Sequence, residues 1–241
     1  MAAEQLPVVF MIERSVAHRP HTTVVLAMSA DGKIADIRRS PPQFGSAADK
    51  AHLENQVAQA DAVLFGAATL RAGGTAMKVS HADLLRRRER EGKPSQPLQI
   101  VCSRSAEIDP QLRFFSQPVP RWLLTTVVGA ERWQEQPGFD QVLALETADR
   151  EIDWMASFEH FTAFGLERIA ILGGGEIIAS LLSVDLIDEL WLTVCPLILG
   201  GANAPTPVGG EGFMQNLAPR LALLEVQPIE QEVFLHYRLQ H

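Results

Sequence analysis

The chain has 241 residues, a formal net charge of −8 and a hydrophobic fraction of 46%. That fraction supports a large core and excludes a disordered chain, and the acidic balance argues against nucleic acid as the main partner. At the start of the chain neither a signal peptide nor a membrane span is expected: Glu4 precedes a short apolar run from Leu6 to Ile12, where a signal peptide wants a basic start and a membrane span far more apolar residues.

Two cysteines, Cys102 and Cys195, each stand alone in apolar surroundings. They read as buried bystanders in a reducing, cytoplasmic setting. Residues 1–20 read as an N-terminal extension, with Pro7 to Ile12 as an arm for a neighbour, and residues 21–241 as a single domain. Thr22 to Ser29 forms the first expected strand, closed by the turn pair Asp31-Gly32. A loop through Pro41 and Pro42 leads to Ser46, an N-cap with Asp49 three residues on, and a helix to about Ala60. Its inner face carries Leu53 and Val57, and His52 is read as a surface residue.

Asp61 to Gly66 is the next buried strand, followed by a short helical turn from Ala67 to Ala72. Ser80 is expected to cap a helix whose mixed-sign run, Arg86 to Glu91, reads as a solvated face. Strands follow at Leu98 to Cys102, Arg121 to Thr126 and Gln141 to Leu145, then a helix of about ten residues ending before Gly165. Ile169 to Leu172 is a short apolar strand, and three glycines separate it from a helix striped by Ile177, Ile178, Leu181 and Leu182. Strand, glycine turn and helix bring backbone N–H groups to an anion and aim the positive helix end at it. An ordinary glycine connection would have the same spelling. The C-terminal part holds Leu190 to Cys195 and an antiparallel pair, Leu221 to Val226 and Glu232 to Leu239, joined around Pro228. The alternation predicts an α/β fold: a mostly parallel central sheet, helices on both faces and an antiparallel C-terminal hairpin.

In such sheets ligands bind beyond the carboxyl ends of the strands. Those ends carry Gly66 with Thr69 and Arg71, then Cys102 with Ser103, Arg104 and Ser105, then Thr125 and Thr126, and then the glycine turn. Several strand ends converging on an anion suggest a dinucleotide, and Arg104 with its serines favours the 2′-phosphate of NADPH. No metal site is expected, since His52-Leu53-Glu54 has no Pro-Cys-x-x-Cys to accompany it.

Five motifs in order carry a family resemblance: Leu26 to Ala35, Ala60 to Gly66 with Thr69, Gly173-Gly174-Gly175, Val184 to Leu190, and Pro196 to Gly200. They resemble the pyrimidine reductase of riboflavin biosynthesis, the RibD C-terminal domain, which has a dihydrofolate-reductase-like fold. The resemblance implies NADPH, a homodimer, and reduction of the ribosyl side chain of a 5-amino-6-(5-phosphoribosylamino)uracil-like substrate to ribityl. It places Ala27 by the nicotinamide and Gly66, Thr69, Ser103, Arg104, Gly173, Gly174, Gly175, Glu176 and Ile177 along the rest of the cofactor. Ser29, Asp31, Lys33, Leu199 and Gly200 fall on the substrate side, with Asp31 and Lys33 as the catalytic candidates. Lys33 could hold a pyrimidine carbonyl or supply a proton, and Asp31 could stabilise an iminium; a plain turn and a surface lysine fit the same residues. Three positions depart from the family pattern, at Leu172, about Val57, and Gly73-Gly74-Thr75. They leave room for a different imine or carbonyl substrate, or for a non-catalytic nucleotide-binding homodimer.

Overall fold

The structure, a computed structural model, describes residues 19–40 and 44–240. The expected arm at Pro7 to Ile12 and the Pro41-Pro42 loop lie outside the described residues. Among the described residues nine strands form one sheet: β1 (His21–Ser29), β2 (Ala62–Gly66), β3 (Leu98–Cys102), β4 (Arg121–Thr125), β5 (Gln141–Ala144), β6 (Arg168–Ile171), β7 (Glu189–Cys195), β8 (Arg220–Ile229) and β9 (Glu232–Gln240). Their spatial order is β5-β4-β3-β2-β6-β1-β7-β9-β8. The pairings from β5 through β7 are parallel, whereas β9 runs antiparallel to both β7 and β8. The helices are α1 (Ala47–Gln59), α2 (Ala67–Gly73), α3 (Ala82–Arg90), α4 (Val127–Glu131), α5 (Trp154–Phe164) and α6 (Gly175–Ser183). None among the described residues is long and apolar enough to cross a membrane.

Strand side chains alternate, so each central strand feeds two cores. Val24, Leu26, Leu64 and Ile171 join Phe158 and Phe161 of α5 and Leu181 of α6 on one face. Val25, Val63, Phe65 and Ala170 join Val57 of α1 and Leu70 of α2 on the other. Each large side chain buried this way stabilises the fold by about 1.5–3 kcal/mol. Both faces must be covered, which is why the buried centres of these strands, such as Val24 to Leu26, Ala62 to Phe65 and Ile169 to Ile171, are apolar.

Several local expectations need correction. The start of α3 is capped by His81, whose ring accepts from the Asp83 N–H. Ser80 is drawn away because its N–H and hydroxyl both donate to Glu54. The basic run of α3 is not simply a solvated face, for Arg88 is fully buried. Its guanidinium donates to the carbonyls of Ala58, Ala60 and Pro94 at 2.7–3.0 Å. Carbonyls at a helix end lack partners within the helix, and a buried fork of donors answers that need at the end of α1. His52 is likewise not a surface residue: its ring packs edge-on against Trp191 at 4.5 Å and Phe234 at 5.3 Å.

Thr126 lies beyond β4 and caps α4 by accepting from the Gly129 N–H. Asp49 does not complete a capping box at Ser46, because the Ser46 N–H donates to Glu232. Pro228 sits within β8, and the hairpin turns at Glu230 and Gln231, with Glu230 at φ 55°.

Candidate active site

The polypeptide enters the sheet at β1, builds β2 to β5 on one side, then inserts β6 between β2 and β1 before β7 is added on the far side of β1. That reversal opens a crevice at the carboxyl ends of the central strands, the usual ligand position in open α/β sheets. A cleft of about 380 Å³ lies there, between the end of β1, the start of α1, α2 and the turn after β6. It brings together Ala27, Thr69, Gly173, Gly174 and Gly175 from separate stretches of sequence. Gly66 joins them through its N–H, which donates to the Gly173 carbonyl at 3.3 Å.

The glycines are required by backbone geometry. Gly173 and Gly174 have φ of 118° and 92°, values that residues bearing a Cβ rarely adopt. A Cβ on Gly175 would come within 2.6 Å of the Thr206 carbonyl. Gly174 brings no capping group to the start of α6, so the leading N–H groups of that helix remain open to an anion. A pyrophosphate fits this set of donors, and apolar Leu26, Leu53, Phe65 and Leu172 in the same cleft suit a flat ring. Glu176 turns away from the cleft, accepting from the Gly210 N–H at 3.2 Å, and Ile177 packs toward Gly66.

The residues placed on the substrate side gather in a separate knot beside the cleft. Asp31 accepts from the Ser29 hydroxyl at 2.6 Å and from the Leu199 and Gly200 N–H groups at 3.1 and 2.7 Å. These donors favour the carboxylate, the Ser29 hydroxyl most, and lower its pKa to about 2. The Lys33 ammonium donates to the Ala204 carbonyl at 3.4 Å. With Ile34 N–H donating to the Pro205 carbonyl, these bonds stitch the 197–205 loop to the end of β1.

Farther along the sheet edge, the polar residues after β3 and β4 brace one another. Thr125 is fully buried, and its hydroxyl, like that of Thr126, donates to the Arg104 carbonyl. It braces a loop and does not offer its hydroxyl to a ligand. Ser103 accepts from the Ala106 N–H, Arg71 donates to the Glu107 carbonyl, and Arg104 pairs with Glu151. Arg71 and Arg104 stay exposed at the surface.

Sequence reasoning missed Asp49, Lys50 and Arg39, which line the cleft. Asp49 was legible only as a partner for a helix cap; its position in the first turn after the first strand was the available signal. Its pKa is raised by burial and by the nearby Glu232 charge, against a lowering by Thr193 and Lys50. Of the departing positions, Val57 is sealed in the core, whereas Leu172, Gly73 and Thr75 border the cleft. Among the described residues no group of three or more His, Cys, Asp or Glu could hold a metal ion.

The chain is similar to a 2,5-diamino-6-ribosylamino-4(3H)-pyrimidinone 5′-phosphate reductase of Archaeoglobus fulgidus, with 27% identity over 82% of this chain and 90% of the relative. A protein with the same description from Methanothermobacter thermautotrophicus is also 27% identical, over 91% of this chain and 98% of its own. A pyrimidine reductase-like protein of Corynebacterium diphtheriae shares the fold, with a TM-score of 0.78, 21% identity and 92% of both chains covered. The sheet is thus the dihydrofolate-reductase-like one that the motifs implied. The profile of the RibD C-terminal domain matches residues 20–235, from the first residues before β1 into β9, and the chain belongs to that family.

Proposed function

We propose that this protein is an NADPH-dependent reductase of a phosphorylated ribosylaminopyrimidine, converting the ribosyl group to ribityl in the manner of riboflavin biosynthesis. One observation carries the reading: in a member of this family, Ala27, Gly66, Thr69 and Gly173 to Gly175 converge on one cleft at the switch point of the sheet. In this reading a single reductase domain runs from residue 21 to 241. The glycine turn and the start of α6 hold the pyrophosphate, Ala27 backs the nicotinamide, and Thr69 lies along the cofactor. Arg71 and Arg104, exposed beside Ser103, are the candidates for the 2′-phosphate, each having to leave its present partner. When bound, the reduced nicotinamide supplies a hydride. The protein then has to bind, orient and provide a proton. Arg39 and Lys50 put positive charge on the cleft wall, which suits a phosphate monoester.

Asp31 and Lys33 shape the substrate side by holding the 197–205 loop, with Leu199 and Gly200 fixed through their amides. The reading also makes the protein a cytoplasmic homodimer. Edge strand β8 supports the pairing: Leu221, Leu223, Leu224 and Val226 are 42–54% exposed along it. Such an edge invites a second subunit.

Fluorescence titration with NADPH and NADH, followed by addition of either the diaminopyrimidinone or the aminouracil ribosyl phosphate, tests the function. The expected result is tighter binding of NADPH and its oxidation by at least one substrate. Binding without oxidation by either, or by a panel of imines and carbonyls, would leave a nucleotide-binding protein instead. Val226→Lys is expected to shift the protein toward monomer in sedimentation.

A further inference from the structure

The reduction proposed above adds a hydride to carbon and a proton to the neighbouring nitrogen, and the structure withholds the two obvious proton sources. Asp31 is tied to three donors and remains ionised down to a pH of about 2. Lys33 is not among the residues that line the cleft, and its ammonium donates to the Ala204 carbonyl at 3.4 Å. Among the described residues that line the cleft, Asp49 is the one carboxyl.

The position of Asp49 is built by three elements. It stands in the first turn of α1, and a Cβ at Gly45 would strike its Oδ2. The Thr193 side chain on β7 lies near the Asp49 carboxyl and acts to lower its pKa. Thr193 is the register partner of Ala27 on β1, so the residue beside Asp49 stands one strand spacing from the proposed nicotinamide position. Behind it is Glu232, 4% exposed, whose two carboxylate oxygens accept from the Ser46 N–H at 2.9 Å and the Ser46 hydroxyl at 2.6 Å.

We infer that Asp49 is a further catalytic residue of this site, its carboxyl delivering the proton to the substrate nitrogen beside the carbon that is reduced. The inference rests on the reductase reading. In the step, the imine carbon of the ring-opened sugar gains the hydride and the π pair of its bond to nitrogen moves onto the nitrogen. There a new N–H bond forms as the Asp49 O–H bond breaks. Asp49 is left as a carboxylate and regains its proton from water through the open cleft.

The groups facing Asp49 agree with this role. Burial and the Glu232 charge on β9 favour the protonated form, while Thr193 and the Lys50 ammonium of its own helix oppose it. Cys195 on β7, beside both acids, is itself pushed up to about 12 by burial and by Glu232, and stays a neutral thiol. Arg39 faces the same cleft from the loop before α1. An acid raised in this way is protonated to higher pH than an ordinary aspartate, which is the state a proton donor needs.

The test has two readouts. In the free protein, carbon-13 NMR of labelled aspartate carboxyls, assigned by the signal lost in Asp49→Asn, is expected to show Asp49 titrating above the ordinary aspartate range. In single-turnover measurements, Asp49→Asn is expected to slow hydride transfer about 100-fold. Cofactor affinity and substrate affinity should stay within about twofold of wild type, a change under about 0.5 kcal/mol. The wild-type rate is expected to fall as pH rises through the Asp49 pKa, and the Asn variant to be flat. Thr193→Val, which removes a group that lowers the pKa, should move the fall to higher pH. An ordinary titration of Asp49, an Asn variant within about threefold of wild type at every pH, or a loss confined to substrate affinity would overturn the proposal. Wild-type protein that binds the cofactor but leaves it unoxidised with every substrate offered would sink the reductase reading and this proposal together, and that outcome is visible before any variant is compared.

Discussion

Asp31 and Asp49 lie on either side of the same first crossover, one after β1 and one at the start of α1, yet their environments oppose each other. Asp31 is exposed and accepts from a hydroxyl and two amides, all of which favour its charge. Asp49 is half-buried, faces the cleft and has Glu232 at its back, which disfavours its charge. The two carboxyl groups are chemically identical. Neighbours alone make one a fixed anion that clasps a loop and the other an acid able to give up a proton.

The strongest way to break this comparison is to neutralise each acid in turn. Asp49→Asn should cost about 100-fold in the hydride step, whereas Asp31→Asn should leave that step within about threefold. The damage in Asp31→Asn should appear instead as faster proteolysis within 197–205. Equal losses in the two single-turnover rates would erase the distinction.

A smaller effect is expected from Glu232→Gln. Removing that charge lowers the Asp49 pKa, so the pH at which the rate falls should move downward, opposite to Thr193→Val. At neutral pH the rate should drop by up to about tenfold per unit of displacement. Displacement of both variants in the same direction would show that Asp49 is not the group being titrated.

Stability against pH gives the smallest and most general test. The folded pKa of Asp31 is depressed from 3.8 to about 2, so its clasp is complete above the unfolded value and is lost as pH falls through the folded one. Protection of the 197–205 loop from proteolysis should therefore persist at pH 4 and fade toward pH 2, read with an acid-tolerant protease. Asp49 has the opposite sign. Its folded pKa is raised, so the folded state loses stability as pH climbs from the unfolded value through the folded one. Asp49→Asn should consequently melt at a higher temperature than wild type at neutral pH, a gain in stability set against a loss of rate. Calorimetry at two pH values checks both signs.

Much of this architecture could be read along the sequence. The largely apolar strands at 62–66, 98–102 and 168–171 announced a sheet buried on both faces, and Gly165 at φ 90° marks the end of α5 where the pattern expected it. The glycine turn could be read as well, because only glycine meets its backbone angles. Arg88 could not. A basic helix run looks the same whether one guanidinium points to water or to the carbonyls at the end of another helix, and only packing α3 on α1 chooses. His52 was hidden for the same reason, since its neighbours Trp191 and Phe234 come from strands far along the sequence.

The amino-acid sequence by itself determined the kind of fold, the cleft-lining glycines and the family, because each depends on local periodicity, backbone freedom or ordered motifs. Only the tertiary structure decided which carboxyl faces the cleft and which one holds a loop. Ionisation follows from desolvation and from charges contributed by remote strands, and Thr193 and Glu232 reach Asp49 only once β7 and β9 have joined the sheet beside β1.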